Sequence, residues 1–278
     1  MYSGYYQRAA DLAGADPVVW ERLTWSGLQQ LREQGEELVV LPVGATEQHG
    51  PHLPVSTDTA IATAVCAYGS ARARVPVLPT LSYGVSVGHT EQWPGTVSLL
   101  HETLALSVRE MVGWLVAQGW RRIILVNSHF GNHATLSVAV DRLRFDYREL
   151  IQIGLVNSYA LTREIEDYFT CDGEDIHANR AETDLMLYLD PEACDMASVQ
   201  DDPDRTEGTV FSYLVPATSK NGVTGRPSEG TAERGRELLR EMGEALTSLL
   251  IKARTETAPL ETQSAGHPTV YPFSGSRP

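Results

Sequence analysis

Two hydrophobic rhythms alternate along the chain. Short continuous apolar runs are separated by longer stretches in which apolar residues recur three and four positions apart. The runs LVVLPVGA (38–45), VPVLPTLSYG (75–84), RIILVNSH (122–129) and LIQIGLVNSY (150–159) are short and rich in β-branched residues, so each predicts a buried strand. Helices are predicted at 61–73, capped by Thr57 or Asp58, at 101–118, ended by Gly119, and at 132–146. Two more are expected near 178–189 and 229–254. Residues 1–36 read as a helical lead-in, with Trp20, Leu23, Leu28 and Leu31 at helix-like spacings. Residues 195–230, rich in Asp, Pro, Gly, Ser and Thr, read as irregular, and so does the tail 255–278. Strands alternating with helices imply βαβ crossovers and a mostly parallel sheet. Neither a repeat nor a linker divides the sequence, so 1–278 reads as one α/β domain. In such sheets ligands bind beyond the carboxyl ends of the strands.

Composition narrows the class. The 278 residues are 42% hydrophobic, too apolar for a disordered chain. Acidic residues outnumber basic ones 36 to 22, a net charge of −14, which argues against nucleic-acid and anionic-membrane partners and for a small-molecule substrate. No apolar run approaches the roughly 20 residues that cross a bilayer, and no basic segment precedes an apolar one at the N-terminus, so a cytoplasmic protein is expected. Cys66, Cys171 and Cys194 are odd in number and far apart, which predicts free thiols.

The predicted strand ends carry the chemistry. GATEQHGPHLPVSTDTA (44–60) places Glu47 and His49 two residues apart, on one face of an extended segment, with Asp58 following at a helix start. VNSHFGNH (126–133) leaves the strongest strand with His129 and His133. DIHANRAETD (175–184) adds His177 and Glu182. Five of the eight histidines, His52 among them, fall in these three segments, and that concentration predicts a metal site. His52 and His133 are equally compatible with loop structure or with orienting the ligands. Asp58 and Glu182, taken singly, would also suit helix termini.

These segments, in this order, resemble the signature of the creatininase family. YGVSVGHTEQWPGTVSL (83–99) is similar to the family's His…Pro-Gly-Thr segment, and IHANRAETDLML to its His…Glu-Thr-Ser helix start. The resemblance implies a three-layer α/β/α sandwich with a mostly parallel sheet, a homohexamer, and one or two divalent ions such as zinc, manganese or iron per subunit. It implies Glu47, His49, Asp58 and His129 as ligands, with Asp58 able to bridge two ions. Two departures stand out. Gly131 occupies the position of a metal-binding Glu in creatininase, which makes Glu182 the expected fifth ligand, as in other branches of the family. Asn179 and Arg180 replace a common Gly-Glu, Phe130 replaces a tyrosine, and residues 160–180 contain no Trp where creatininase has substrate-facing tryptophans, so creatinine is not the expected substrate.

The expected activity is hydrolysis of an amide or other activated carbonyl, with water activated by the metal. His177 is the expected proton shuttle, and Glu182 the base if it is not a ligand. Phe130, His89, Trp93 and Arg180 are the expected substrate contacts, Arg180 favouring an anionic group. The alternatives on the same fold are hydrolysis of a cyclic polyol diketone, a formamide deformylase and a mycofactocin-type peptidase. A metal-binding scaffold is the non-enzymatic alternative.

Overall fold

The computed structural model describes residues 2–148 and 150–260. The predicted tail lies outside them from residue 261 onward. Three parallel strands, β1 (Leu38–Val43), β2 (Arg122–Asn127) and β3 (Gln152–Asn157), form the sheet in the order β1-β2-β3. Leu38 pairs with Arg122 and Arg122 with Gln152, so all three strands end level at Val43, Asn127 and Asn157.

The segment 75–84, expected as a strand, runs parallel along the free edge of β1 without becoming a regular one. Val40 N–H donates to Pro76 O at 3.0 Å, Leu78 N–H to Val40 O at 2.9 Å and Leu81 N–H to Pro42 O at 3.0 Å. Pro76 and Pro79 have no N–H to give, which breaks the ladder.

Strand alternation divides the core in two. Leu38, Val40 and Val126 face one layer, while Val39, Leu41, Val43, Ile123 and Leu125 face the other. The first layer contains α3 (Thr57–Ala73), α7 (Arg180–Leu189) and α9 (Ala232–Thr255), with α1 (Tyr2–Ala13) packed outside α3. The second contains α4 (His101–Ala117) and α5 (His133–Asp146). The result is the expected α/β/α sandwich. Nearly every residue of α3 is buried because helices and sheet enclose it on all sides. α9 instead buries a stripe, with Leu238, Leu239, Met242, Leu246 and Leu250 in the core and charged residues outside.

Several local expectations change. The lead-in contains α1 and α2 (Trp25–Glu33) joined through a 3₁₀ turn. A short helix, α6 (Arg163–Phe169), occupies a stretch with no predicted element; Thr162 caps it by accepting from Ile165 N–H at 3.3 Å. A single turn, α8 (Val215–Thr218), interrupts the irregular region. Neither Thr57 nor Asp58 caps α3. Thr57 Oγ1 donates to Pro54 O at 2.7 Å, and Asp58 faces the interior. Cys66 is buried, Cys194 half-buried and Cys171 exposed, all free thiols. No helix among the described residues is long and apolar enough to cross a membrane.

Candidate metal centre and active site

The chain leaving β1 enters the site at once. Gly44 is required there, because a Cβ would lie 2.7 Å from Thr59 N and Cα in the first turn of α3. That close approach brings Glu47 and His49 against Asp58. Asp58 projects from the positive end of α3, which favours its charge. The chain leaving β2 delivers His129, and Asn132 locks that loop in place by donating to Gly44 O at 3.0 Å and accepting from Val85 N–H at 2.8 Å.

The third contribution is a backbone device. Ala178 adopts φ 51°, a left-handed conformation that costs a non-glycine residue about 1 kcal/mol. It separates its neighbours: His177 turns into the cavity, while Asn179 caps α7 by accepting from Glu182 N–H at 3.1 Å. The Glu182 side chain does not reach back to the cap. It points to His49, with Oε1 3.7 Å from Nε2.

Glu47, His49, Asp58, His129 and Glu182 thus surround one cavity of about 180 Å³. His49 Nε2 is 3.5 Å from Asp58 Oδ1, and His129 Nδ1 is 3.2 Å from Asp58 Oδ2. His129 Nε2 is 3.1 Å from Glu47 Oε2. Two groups share Asp58: Glu47–Asp58–His129 and His49–Asp58–Glu182, with ligand atoms within 4.8 Å of one another in each. Carbonyl acceptors orient both imidazoles. Glu47 O lies 3.0 Å from His49 Nδ1, and Val85 O lies 2.9 Å from His129 Nε2, which leaves Nε2 of His49 and Nδ1 of His129 facing Asp58.

The electrostatics fit a divalent cation. Burial alone would push the Glu47 and Asp58 carboxyls up, but the surrounding histidines outweigh it and hold both below their ordinary range. The carboxylates in turn overcome burial at His129, raised to about 9, and raise His49 well above its usual value. Glu47 Oε1, Asp58 Oδ2 and Glu182 Oε2 are buried and receive no well-formed hydrogen bond. Three carboxylates with orphaned oxygens, among imidazoles drawn toward the protonated form, match the oxygen and nitrogen donor set of zinc, manganese or iron.

Gly131 explains the missing loop carboxylate. A Cβ there would sit 2.5 Å from Val85 O and 2.6 Å from His129 Nε2, so no side chain fits and a carboxylate must come from elsewhere. Glu182, on α7, lines the cavity instead.

His177 is buried at the cavity wall, with Nδ1 3.3 Å from Glu47 Oε1 and Nε2 2.7 Å from the Gln48 amide nitrogen. Burial, with nearby His89, lowers its pKa well below the usual value, so its imidazole is neutral at pH 7. His89, at the end of the 3₁₀ turn Val87–His89, lines the cavity 3.0 Å from Glu47 Oε1. Phe130 also lines it and is half exposed.

Other expected contacts lie elsewhere. Trp93 is beyond the 3₁₀ turn, where the chain runs out through exposed Glu91, Gln92 and Pro94, and it does not line the cavity. Arg180 points outward, with Nη1 3.2 Å from Glu229 Oε2 and its guanidinium over the Tyr168 ring. The capping geometry of Asn179 sends residue 180 to the outer side of α7. His52 is buried against Thr183 Oγ1 at 3.0 Å, and burial lowers its pKa to about 4; it supports the loop behind the site. His133 sits at the exposed start of α5, 2.9 Å from the Asn157 amide nitrogen.

Several lining groups were not anticipated from the sequence: Ser86, His101 and Asp175, together with Gln48 behind His177. Ser86 Oγ donates to Glu47 Oε2 at 2.6 Å. Gln48 sits between two singled-out residues, and that adjacency was its only signal.

Comparison with known proteins identifies the family. A relative from Mycobacterium tuberculosis (strain CDC 1551 / Oshkosh), named mycofactocin precursor peptide peptidase, is 34% identical over 261 residues, spanning 87% of this chain and 92% of the relative. A creatinine amidohydrolase from Pseudomonas putida is 30% identical over 247 residues, spanning 83% of this chain and 92% of the relative. A solved creatininase mutant of the zinc–zinc type superposes with a TM-score of 0.75 at 26% identity, covering 86% of this chain and 99% of that one. The family model for creatininase, described as creatinine amidohydrolase, matches residues 21–250, a span that contains all three strands and every residue facing the cavity, and the chain accordingly belongs to the creatininase family of hydrolases.

Proposed function

We propose that this chain hydrolyses an amide C–N bond of a small polar substrate with the help of one or two divalent ions. The observation that carries this reading is the convergence of Glu47, His49, Asp58, His129 and Glu182 on one cavity, with orphaned carboxylate oxygens aimed into it. In this reading Glu47, Asp58 and His129 would hold one ion and His49, Asp58 and Glu182 a second, Asp58 being common to both groups. Zinc is the first candidate, from the zinc–zinc relative, followed by manganese and iron. An ion held there supplies Lewis-acid chemistry, acidifying water and polarising a carbonyl oxygen.

The remaining work falls to the chain's own groups. The neutral imidazole of His177 takes the proton released on attack at Nε2, its one unprotonated nitrogen, giving up the Gln48 contact, and passes the Nδ1 proton to the departing nitrogen. Gln48 fixes the resting tautomer: its amide N–H donates to Nε2 at 2.7 Å, which leaves the ring hydrogen on Nδ1, 3.3 Å from Glu47 Oε1. His89 and Phe130 wall the cavity around the substrate. With Glu182 committed as a ligand, the base role is left to His177.

A peptide bond is favoured among amides by the 34% identity to a protein named as a peptide peptidase. Creatinine is disfavoured by Gly131 and by the absence of Trp from 160–180. The chain acts as one cytoplasmic domain in a homohexamer. Support for subunit contacts comes from the exposed apolar side chains of Val210, Phe211, Tyr213 and Leu214 in the irregular region. The test is metal analysis of the purified protein combined with a screen of short peptides, formamides and small cyclic amides. Purified protein that takes up no divalent ion, or metal-loaded protein that cleaves none of these, refutes the reading.

A further inference from the structure

The cavity contains a fourth carboxylate that metal binding leaves unused. Asp175 lines the same cavity as His177, two residues further along. Its loop is held from behind: Asp204 Oδ2 accepts from Glu174 N–H at 2.9 Å and from Asp175 N–H at 3.2 Å. The Asp175 carboxylate itself has no hydrogen bond or ion pair among the described residues, and it belongs to none of the three candidate metal groups. Glu47, Asp58 and Glu182 each lie within 4 Å of a histidine nitrogen; Asp175 lines the cavity without such a contact.

Histidine is the cavity's only basic side chain. No Lys or Arg is among its lining residues, and Arg180 is turned away to Glu229. An anionic substituent would be repelled by Asp175 and would find imidazoles that already face Glu47 and Asp58. A cationic one would find a half-buried carboxylate with both oxygens free, where a charge-assisted hydrogen bond is strong because little water competes.

We infer that Asp175 is a specificity-determining residue that receives a protonated nitrogen of the substrate, so that the enzyme selects amides carrying an ammonium group over neutral or anionic ones. This rests on the amide-hydrolase reading for the bond that is cleaved, and it deepens that reading by naming the group held next to that bond.

The test is a binding measurement on the full-length, zinc-loaded protein at neutral pH. Calorimetric titration compares glycinamide, which carries an ammonium group, with N-acetylglycinamide, which is neutral. Wild type is expected to bind glycinamide about ten- to a hundredfold more tightly, the scale of a hydrogen bond to a charged group. Asp175→Asn is expected to bring the two affinities within about twofold while keeping zinc content and melting temperature. Asp175→Glu, which keeps the charge, is expected to retain part of the preference. A preference that survives Asp175→Asn overturns the inference, and so does a wild type that fails to bind glycinamide or does not distinguish the two. Failure of the hydrolase reading would appear separately, as loaded protein that binds with the expected preference yet cleaves no amide.

Discussion

Gly131→Ala is the smallest change that tests how the site is built. The new methyl would lie 2.5 Å from Val85 O and 2.6 Å from His129 Nε2, against about 3.5–4.0 Å for a relaxed contact. Both neighbours are constrained. Val85 is buried and its N–H is held by Asn132 at 2.8 Å, and His129 is held by Val85 O, Glu47 and Asp58. Neither neighbour can move without breaking those contacts, so the clash falls in the range of core overpacking, about 1–3 kcal/mol. For a chain of this size that is roughly 2–10 °C in melting temperature. The imidazole is the softer of the two neighbours, so it gives way first and Nδ1 swings from Asp58. Metal affinity should then fall by about 10–100-fold, the usual effect of losing a ligand's orientation. Calorimetric metal titration and a thermal melt of the metal-free protein measure the two effects independently. A variant that melts with wild type and binds metal equally well would refute the packing argument, and with it the proposal that Glu182 on α7 takes the place of a loop carboxylate.

Five further outcomes are expected. His129→Ala should lose an ion while keeping the fold, and Glu182→Gln should be comparably severe; unchanged metal content in either variant removes that residue from the ligand set. His177→Ala should keep the metals but slow cleavage of an ordinary amide by about a hundredfold or more, and far less with a good leaving group; equal loss on both would mean that His177 only binds or positions. Asp202 is held to about 2, first by its hydrogen bond with Arg205 and then by Lys220 N–H and the Ser219 hydroxyl. Because its folded pKa lies below the ordinary carboxylate value, its contribution is full above about pH 4 and fades as pH falls toward 2, so the stability gap between wild type and Asp202→Asn should close over that window in pH-dependent melts; a gap independent of pH would refute the assignment. Light scattering at micromolar concentration should return a hexamer mass, and a monomer would refute the assembly.

What the sequence made legible follows from where information is local. The strands were readable because an α/β sheet buries both faces and leaves continuous apolar runs, as in residues 38–43 and 122–127. Residues 75–84 have the same apolar character but fail to form a regular strand, since prolines remove ladder donors without changing hydrophobicity. Residues 163–169 read as nothing because a seven-residue helix offers barely two turns of periodicity. The ligand candidates were legible because they cluster at strand ends. The orientation of side chains was not: Arg180, two residues before Glu182, points outward because the Asn179 cap and the left-handed Ala178 set the rotation of α7. Asp175 was invisible as a site residue because an isolated Asp in a polar loop carries no pattern.

The departure at residue 131 has a structural consequence beyond the identity of one ligand. A carboxylate on the loop after β2 would move with His129, as one unit. Glu182 stands instead on α7, whose register depends on Asn179 accepting from Glu182 N–H, donating to Phe169 O at 2.7 Å and approaching Asp172 at 3.3 Å. Asp172 Oδ2 also accepts from Arg226 N–H at 2.7 Å, which ties α7 to the segment that precedes α9. The His49–Asp58–Glu182 group is therefore assembled across two separate elements, whereas Glu47–Asp58–His129 is braced on the sheet through Asn132 and Gly44. The sheet-braced group should be the tighter of the two, and the group completed by α7 the one that fills last. Stepwise metal titration should resolve two affinities. Asn179→Ala should weaken the second and leave the first alone, because the lost cap, worth about 1 kcal/mol, acts only on the helix that carries Glu182. Equal weakening of both would mean that the two groups are one rigid cluster and that α7 contributes no independent motion.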